Sequence, residues 1–503
     1  MRRQIPYSAA LAVCLVLGAC CWAADTVMDR PPRVDPDYAG VTIPSNIAPL
    51  NFRILEPGDA YEATFRGKGS QSIEVAASDG GIVIPEGAWR TLLAESQGAS
   101  LEIAVRVKDE AGTWQQFQPF SIHVAKEPID KYIGYRLMKP WYIAFDEIGV
   151  YQRDLESYDE HLVMSNELVD GACMNCHSFL NYGTERVLIH YRWPFVMLSI
   201  HGDEAEKIDT RTDFNSSAFA YVSWHPSGRV AAFSVNRILQ VFHTRGETRD
   251  AYDTGSDLLV YDFEANAVVS APQIASLDAF ETFPAWSQDG RYLYFVSTPA
   301  IAKEEFRRFK DVRYDLMRVG YDVETGAWGE LETVLAGEEI GGSITEPRVS
   351  PDGRFVLFTL SGHGSFPVFQ GDSDLWMLEL ETGRYWRLDC NSERSESWHA
   401  WSSNGRWIAF SSKRRDPVFT RLYFCYVDEQ GKAHKPFLLP QRDPGFYDGF
   451  LKVYNVPEFA NERVQVSPRA LAELLRSKDE PKKAQLSPAA RPFVEQRAAA
   501  AAN

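Results

Sequence analysis

Short runs in which apolar and polar residues alternate fill most of this chain, and a period of two is typical of β-strands with one buried face. The runs start near Ile47 and are separated by turns rich in glycine, proline, aspartate and asparagine. Near the C-terminus, Ser467 and Pro468 open a stretch with helical signals that continues to Arg476. Serine caps a first helical turn and proline fits into it. The pattern therefore predicts an all-β protein with a helix in its C-terminal tail.

The N-terminal part of this pattern predicts a small domain of its own. Alternating runs between residues 47 and 126 predict a β-sandwich, which resembles immunoglobulin and fibronectin modules in its pattern. Residues 25–46 before it are rich in proline and aspartate and lack periodicity, which predicts a tether. The runs are Tyr61–Phe65, Ser72–Val75, Leu101–Val105 and Phe120–Val124.

A repeat occupies most of the remaining chain. In each copy an apolar run ends in a turn with glycine followed by arginine, and a second apolar run comes after it. The glycines recur at intervals of 62, 63 and 52 residues. Glycine accepts the positive φ of such a turn, so each copy predicts a hairpin, and a second hairpin later in the unit completes four strands. The copies are Ser223–Arg229, Ala285–Arg291, Arg348–Arg354 and Ala400–Arg406.

These units resemble the TolB-like family of β-propeller repeats, and the resemblance covers about two thirds of the chain. It implies a propeller that recognises partners. Residues 148–163 match the second hairpin of an earlier unit, and Phe179–Gly183 occupies the turn position of the next one. One unit before Phe179 and five from it onward predict a six-bladed propeller over residues 132–460. A strand near Phe450–Tyr454 is predicted to close the ring by pairing with the first blade.

The last segment, residues 461–503, is predicted to consist of the helix and a disordered tail. The tail is rich in alanine, lysine, glutamate and proline and has too few large apolar residues to form a core.

One motif carries chemistry: Cys173-Met174-Asn175-Cys176-His177 has the Cys-x-x-Cys-His pattern of c-type haem attachment. The two thiols add to the vinyl groups of the porphyrin, and the adjacent histidine reaches the iron as proximal ligand. We therefore expect one covalent haem c, bound through Cys173, Cys176 and His177. The unit alignment places the motif between the last strand of one blade and the inner strand of the next, so the haem is expected at the propeller face near the central channel.

Three other interpretations of the two cysteines are a thioredoxin-like dithiol, half of a zinc site and a plain disulfide. A redox dithiol belongs at the start of a helix in a βαβ unit, and zinc needs a second pair of ligands, so both agree poorly with this all-β sequence. The remaining body cysteines, Cys390 and Cys425, fall in strand-like segments and are expected to be buried thiols.

The sixth iron ligand has three candidates. His190 ends the strand that is expected to pair with the strand after His177, and Met197 follows in the next loop. His399 begins another inner strand and is expected on the same face. Each of them also fits a structural histidine or a core methionine, and an iron site open on one side is a further alternative.

The first 24 residues have the features of a signal peptide: Arg2 and Arg3, an apolar stretch from residue 9 to 18, and then Leu17-Gly18-Ala19-Cys20. This ending resembles a bacterial lipobox and predicts lipidation of Cys20; cleavage near Ala23 without lipidation is the alternative. The apolar stretch is too short for a stable membrane span. We expect an exported protein of the cell envelope, either periplasmic or an outer-membrane lipoprotein.

The formal net charge of −17 argues against nucleic acid as a partner, because phosphate backbones are bound by clustered cations. The function expected is that of an exported monohaem cytochrome-like propeller, which transfers electrons or docks on a redox or envelope protein. Alternatives are a scaffold that binds protein or glycan, with haem structural or absent, and a haem enzyme such as a peroxidase. The sequence has no Gly-x-Ser-x-Gly nucleophile motif, which argues against a prolyl-oligopeptidase-like peptidase, and it has no phosphate loop.

Overall fold

The computed structural model describes residues 25–69, 71–140, 147–192, 195–216, 219–242 and 249–501. The predicted signal peptide and its lipidation residue Cys20 lie outside these ranges. Within the described ranges, no helix combines the length and the apolar character needed to cross a membrane.

The N-terminal unit consists of two sheets and one helix, which are held together by a common apolar core. Burial alternates along Ala99–Lys108, as the period-two pattern predicts. The larger sheet contains Thr26–Val27, Thr42–Ile43, Ala60–Arg66, Ser72–Ala77, Ala99–Lys108, Trp114–Gln116 and Phe120–Val124, and the smaller contains Val34–Asp35, Phe52–Ile54 and Gly81–Ile82.

Two features of this unit differ from the sequence prediction. The predicted tether contributes three short strands that pair with the edges of both sheets. Edge pairing uses backbone N–H and C=O groups, so it does not require an alternating pattern of side chains. A helix that was not predicted spans Glu86–Glu95 and buries Trp89, Leu92 and Leu93, which share one helical face. The Trp89 indole donates a hydrogen bond to the carbonyl oxygen of Ile47 at 3.0 Å and so ties the helix to the start of the unit.

The rest of the described chain is mostly β and forms a ring of sheets, which we number 1 to 6; each has four antiparallel strands, and the C-terminal tail adds a parallel fifth strand to sheets 2 and 3. Sheets 2 to 6 are each built from consecutive strands. Sheet 1 contains Tyr132–Met138, Gly149–Asp154, Glu160–Ser165 and Val453–Ala460; sheet 2 contains Met174–Phe179, Arg186–Tyr191, Val196–His201 and Glu204–Asp209; sheet 3 contains Ala220–Trp224, Val230–Phe242, Arg249–Asp262 and Ala267–Val269; sheet 4 contains Ala279–Trp286, Tyr292–Pro299, Asp315–Asp322 and Ala327–Leu335; sheet 5 contains Ser343–Val349, Phe355–Ser361, Asp374–Glu379 and Tyr385–Arg387; sheet 6 contains Glu396–Trp401, Trp407–Ser412, Arg421–Tyr426 and Phe437–Leu438.

The strand nearest the axis of each sheet, which we call the inner strand, contacts the inner strands of both neighbouring sheets. The series closes because Val453–Ala460, the inner strand of sheet 1, contacts both Glu396–Trp401 and Met174–Phe179. It pairs antiparallel with Tyr132–Met138. The closing strand therefore lies slightly later in the chain than predicted but has the predicted partner. This arrangement is a β-propeller with a channel along its axis.

The repeated turn is held by a polar network that explains its sequence. In sheet 5, Ser350 donates a hydrogen bond to Asp352 at 2.6 Å and accepts one from the backbone N–H of Phe355 at 2.9 Å. Gly353 adopts the left-handed φ of 72° that the turn requires. The same serine contacts recur in the turns that start at Ser287 and Ser402.

The C-terminal tail contains more structure than its composition predicts. The helix spans Pro468–Arg476, and the Ser467 side chain accepts a hydrogen bond from the Ala470 N–H at 3.2 Å. Where disorder was predicted, Lys482–Lys483 pairs with the outer strand of sheet 2, and Gln485–Leu486 pairs with that of sheet 3. An exposed strand edge offers unpaired backbone groups, so even a polar segment can bind to it.

The remaining helices are short, except for the one that ends the described chain. They are Asn166–Val169, Leu180–Tyr182, Lys303–Asp311, Gly337–Ile340, Pro367–Phe369, Phe446–Gly449 and Arg491–Ala501.

Ring closure by the C-terminal strand can be tested with two truncated chains. A chain that ends at Lys452 lacks the closing strand, with its buried Tyr454 and Phe459, and leaves the inner edge of Tyr132–Met138 unpaired. We expect this chain to lose cooperative thermal unfolding. A chain that ends at Ser477 keeps the closing strand and the helix, so it should unfold cooperatively with a modestly lower Tm. Circular dichroism melting curves would show the difference, and equal Tm values for the two chains would contradict this closure.

Candidate functional site

The Cys-x-x-Cys-His motif lies at the start of sheet 2. Cys173 precedes the inner strand Met174–Phe179, and Cys176 and His177 lie within it. The sequence prediction had placed the whole motif before that strand. Met174 pairs with Tyr191 and His177 with Ile189, so two residues, 175 and 176, face only one residue of the neighbouring strand. The motif is therefore an extended segment interrupted by a β-bulge.

The bulge recurs in the other inner strands. In each of them, one residue that is not glycine adopts a left-handed φ between 45° and 53°. Each stands three residues before an aromatic residue or valine that is the last or next-to-last residue of its inner strand. In the inner strand of sheet 2, Cys176 occupies the equivalent position, three residues before Phe179. The five left-handed residues are Tyr221, Phe283, Glu346, Trp398 and Val456.

Three of these residues meet at the channel axis and narrow it. The ring of Tyr221 lies 4.2 Å from that of Phe283 and 5.9 Å from that of Trp398, and the last two rings are 6.1 Å apart, measured between centroids. These residues belong to sheets 3, 4 and 6, so their contacts cross the channel. We call this aromatic group the constriction. It separates two cavities, one on each side.

The first cavity contains Cys173, which is half-buried in its wall. Apolar side chains such as Ile148, Ile238 and Phe369 form much of the remaining lining. The charged side chains that line it, among the residues the structure describes, are all cationic: Arg136, Arg192, Arg249 and Lys413. In a chain with 69 acidic and 52 basic residues, this is a local reversal of the net charge. The cavity therefore suits a ligand with an apolar body and negative groups.

His177 lines the second cavity, on the other side of the constriction, and is only 2% exposed. A Cβ atom on Gly134 of sheet 1 would lie 2.7 Å from Cε2 of Phe179 and 3.1 Å from Nε2 of His177, so the glycine makes room for both the phenyl ring and the imidazole. Neither ring nitrogen has a hydrogen-bond partner within the described ranges. Burial, with a smaller contribution from the charge of Arg136, lowers the pKa of His177 to about 3. A contact with the Gly134 backbone opposes this shift only partly, so the imidazole is neutral.

The donor set fits haem c, but the extended strand separates its members. A neutral imidazole without partners is the form that binds iron, and the motif supplies both thiols. From residue 173 to residue 177, however, an extended strand rises about 13 Å. The same four steps in an α-helix rise only about 6 Å. Cys173 and His177 consequently line different cavities in this structure. Binding by all three residues requires the segment 173–177 to adopt a more compact path.

The structure does not bring His190 or Met197 to His177. His177 pairs with Ile189, so the next residue, His190, points to the opposite face of sheet 2. His190 pairs with Met197 and packs on Phe233 of sheet 3, with 5.1 Å between ring centroids. Burial lowers the pKa of His190 to about 3. Both residues are part of the packing between sheets 2 and 3.

His399 also has a structural role. Its Nδ1 lies 3.3 Å from the Thr359 hydroxyl, and its Nε2 lies 3.2 Å from the carbonyl oxygen of Leu357. Burial is the main cause that lowers its pKa to about 3, so the ring is neutral. With both nitrogens engaged, His399 ties the inner strand of sheet 6 to sheet 5.

Sequence reasoning missed the cations of the first cavity and the constriction. The four cations come from sheets 1, 2, 3 and 6, and no linear pattern connects them. The constriction did have a signal, because Tyr221, Phe283 and Trp398 each stand three residues before a repeated tryptophan.

The constriction level also contains a buried carboxyl group. Glu346 accepts hydrogen bonds through Oε2 from the Trp398 N–H at 2.6 Å and from the Thr359 hydroxyl at 3.1 Å. Burial raises its pKa to about 7, against the opposing effects of these two donors and of Arg348. The group is therefore close to its titration midpoint at neutral pH.

No family model matches this chain, and no curated protein matches it. Among solved structures, the chain is similar to TolB from Acinetobacter baumannii, with 13% identity and a TM-score of 0.42 over 75% of this chain and 86% of that one. It is also similar to a hypothetical selenium-binding protein from Sulfolobus tokodaii, with 9% identity and a TM-score of 0.42 over 82% and 96% of the two chains. A nidogen/laminin complex gives 8% identity and a TM-score of 0.38 over 65% and 97%.

Glu346→Gln is expected to remove a pH dependence of stability. The carboxyl group titrates near its ordinary pKa of 4.5 in the unfolded chain and at about 7 in the folded protein. Between these values the folded state holds the extra proton, so stability falls as the pH rises through this window. The difference corresponds to roughly 3 kcal/mol. Glutamine keeps an acceptor oxygen but does not titrate, so urea unfolding at about pH 5 and about pH 8 should show a smaller difference for the variant.

The control is Glu110→Gln, which changes an exposed glutamate of the N-terminal unit and should leave the pH dependence as it is in the wild type. Parallel stability curves for the wild type and Glu346→Gln would show that Glu346 does not titrate as described.

Proposed function

We propose that this chain is an exported c-type haem protein, in which a six-bladed TolB-like propeller with a β-sandwich unit before it holds one covalent haem c. Cys173 and Cys176 would form the thioether bonds, and His177 would be the proximal iron ligand. The observation that carries the proposal is the motif Cys173-Met174-Asn175-Cys176-His177, whose histidine is buried and neutral in the structure. When bound, the haem supplies a one-electron redox couple.

The first cavity supports this proposal through its lining. Haem has an apolar macrocycle and two carboxylates, and the cavity that contains Cys173 combines apolar walls with cations. Arg192 and Arg249 are suitable partners for the carboxylates, because a guanidinium has five donors and can bind a ligand while it keeps bonds to the protein.

The strand conformation of the motif sets the order of events. Thiol addition needs both cysteines to be accessible, and the iron bond needs His177 close to them. In the folded ring His177 is buried, and the extended strand holds it far from Cys173. We therefore infer that attachment precedes the pairing of Met174–Phe179 with Arg186–Tyr191, and that the bulge at residues 175–176 is where the segment changes path.

Electron transfer to a docked partner is the role that suits such a protein. Leu239 and Val418 are exposed large apolar residues on segments beside the first cavity, with exposures of 46% and 38%. Exposed apolar side chains around a charged opening are typical of protein docking sites. We propose a redox or envelope protein as the partner, with the chain anchored to the membrane through lipidated Cys20 and located in the periplasm or at the outer membrane.

The same docking features favour one second candidate, a scaffold that binds an envelope protein or glycan and in which haem is structural or absent. A reversible redox midpoint of the purified protein would support electron transfer over this scaffold role. A peroxidase needs an open iron site, so prompt binding of carbon monoxide by the reduced protein would favour that enzyme class.

Covalent haem can be tested on a denaturing gel. We expect the full chain, expressed in a host competent for cytochrome c maturation, to give a haem-staining band that Cys173→Ala with Cys176→Ala abolishes. Cys390→Ser is the matched control, because this buried cysteine lies outside the motif and its loss should leave the stain unchanged. If the wild-type protein does not stain, the haem proposal fails.

The distal ligand can be tested by optical spectroscopy. We expect Met197→Leu and His399→Gln to leave the spectrum of the reduced haem protein unchanged, because Met197 faces sheet 3 and His399 has both nitrogens engaged. His177→Ala should alter the spectrum strongly and serves as the positive control. Loss of a ligand band in either of the first two variants would identify that residue as the sixth ligand and contradict its structural role.

A further inference from the structure

Two cysteines outside the haem motif lie in the layer between sheets 5 and 6. Cys390 follows the last strand of sheet 5, on the connection to sheet 6, and Cys425 lies in the third strand of sheet 6, Arg421–Tyr426. Both are fully buried, and both belong to one apolar cluster that contains side chains of the two sheets. The fold therefore brings together two thiols that are 35 positions apart in the sequence.

The direction of the Cys425 side chain follows from the alternation along its strand. Leu422 and Phe424 belong to the apolar core that includes the N-terminal unit. Tyr423 and Cys425 belong instead to the cluster that contains Leu375 of sheet 5. Successive side chains of a strand point to opposite faces, so Cys425 points towards sheet 5.

The Arg414 side chain connects the segment of Cys390 to this face of sheet 6. Its guanidinium donates a hydrogen bond to the carbonyl oxygen of Cys390 at 2.8 Å. The central carbon of the same guanidinium lies 4.5 Å from the centroid of the Tyr423 ring. Tyr423 stands two positions before Cys425, on the same face of the strand. One side chain thus contacts the backbone of the first cysteine and the nearest neighbour of the second on that face.

The two thiols also contact each other. A hydrogen bond with the Cys425 thiol is the largest cause that raises the pKa of Cys390 well above its ordinary value, ahead of burial. The Cys425 thiol donates a hydrogen bond to the carbonyl oxygen of His434 at 3.0 Å, which fixes the position of its sulfur. Two cysteines whose side chains already meet can be bridged without a large backbone movement.

We propose that Cys390 and Cys425 form a disulfide bond that joins sheets 5 and 6 in the mature protein; the structure shows this pair in its reduced form. The inference rests on the exported location proposed above, because disulfides persist outside the cytoplasm whereas cytoplasmic thiols are kept reduced. It uses neither the haem nor the cysteines of the haem motif.

The bond forms in two exchange steps with an oxidised dithiol carrier, which supplies a disulfide as the oxidant. The thiolate of one cysteine attacks a carrier sulfur, which forms a mixed disulfide and releases the other carrier sulfur as a thiolate. The thiolate of the second cysteine then attacks the protein sulfur of the mixed disulfide, which forms the bond between Cys390 and Cys425 and releases the first carrier sulfur. The carrier gains two electrons and the two protons that the cysteines lose.

The burial of the pair sets when this exchange takes place. Exchange needs accessible thiolates, and both cysteines are fully buried in the closed ring. The bond therefore forms before sheet 6 has packed on sheet 5, and the finished bond lies out of reach of reductants. A cross-link over 35 positions restricts the unfolded chain and so stabilises the folded ring.

The test maps the disulfides of the full chain, purified from a bacterial host that exports it. Free thiols are alkylated with iodoacetamide in denaturant without a reductant. Trypsin then releases residues 388–394, which contain Cys390, and residues 422–432, which contain Cys425. We expect mass spectrometry to show these two peptides joined, at the sum of their masses less two hydrogen atoms, and separated after reduction.

The variants separate this pair from the haem motif. Cys390→Ser and Cys425→Ser should each abolish the joined peptide and leave the remaining cysteine of the pair alkylated. Cys173→Ala with Cys176→Ala is the matched control, because it should abolish haem staining and leave the joined peptide unchanged. The disulfide and the haem can therefore fail independently of each other.

Alkylation of both Cys390 and Cys425 in the wild-type protein would overturn the proposal, and so would a peptide that joins either of them to Cys173 or Cys176. Refolding the reduced chain from urea with glutathione disulfide shows which premise has failed in the first case. If the refolded chain forms the pair and the protein from cells does not, the exported location is wrong. If neither contains the pair, the pairing itself is wrong.

Discussion

Pairing between the two ends of the propeller segment is the constraint on which the rest of the structure depends. Val453–Ala460 completes sheet 1 beside Tyr132–Met138 and, in doing so, brings the inner strands of sheets 2 and 6 against itself. Once the ring is closed, each inner strand is fixed between two neighbours. The width of the channel, the constriction and the two cavities all follow from that fixed spacing. The candidate sites are therefore consequences of closure as much as of the residues that line them.

Closure also explains why residues in an unfavourable backbone conformation persist. A left-handed φ costs residues other than glycine of the order of 1 kcal/mol, and more for β-branched ones such as Val456. The bulges that contain these residues turn one side chain of each strand towards the axis, where Tyr221, Phe283 and Trp398 pack on one another. The packing of these rings offsets the backbone cost. Cys176 stands at the same position of the sequence repeat, three residues before Phe179.

The sequence predicts the repeated part of this fold well, because each unit carries its own local signals. The Ser-x-Asp-Gly-Arg turns reveal the first hairpin of a sheet, since the serine and glycine have defined roles there. The helix Glu86–Glu95 was missed because it interrupts a strongly alternating region. The tail strands at residues 482–486 were missed because their pairing depends on the outer edges of sheets 2 and 3 and not on their own composition.

The candidate site was predictable in its chemistry and less so in its geometry. The motif identified Cys173, Cys176 and His177 from their spacing, but spacing does not show that the segment is extended. The ranking of His190 and Met197 assumed that a returning strand brings its residues to the face of His177. Pairing of His177 with Ile189 places them on the opposite face instead. The cations around Cys173 come from sheets far apart in the chain, so only the closed ring assembles them.

The position of the closing strand has a consequence for the order in which the protein is made. Val453 follows His177 by 276 residues, so the ring stays open until almost the whole propeller segment has been synthesised. At about 5–20 residues per second, that interval lasts roughly 14–55 s. During this time the strand with the motif can pair with Arg186–Tyr191 and pack beside Ala220–Trp224, but the side that the closing strand later covers stays open. Moving the closing strand to the N-terminal end by circular permutation would remove most of this interval while leaving the final fold the same.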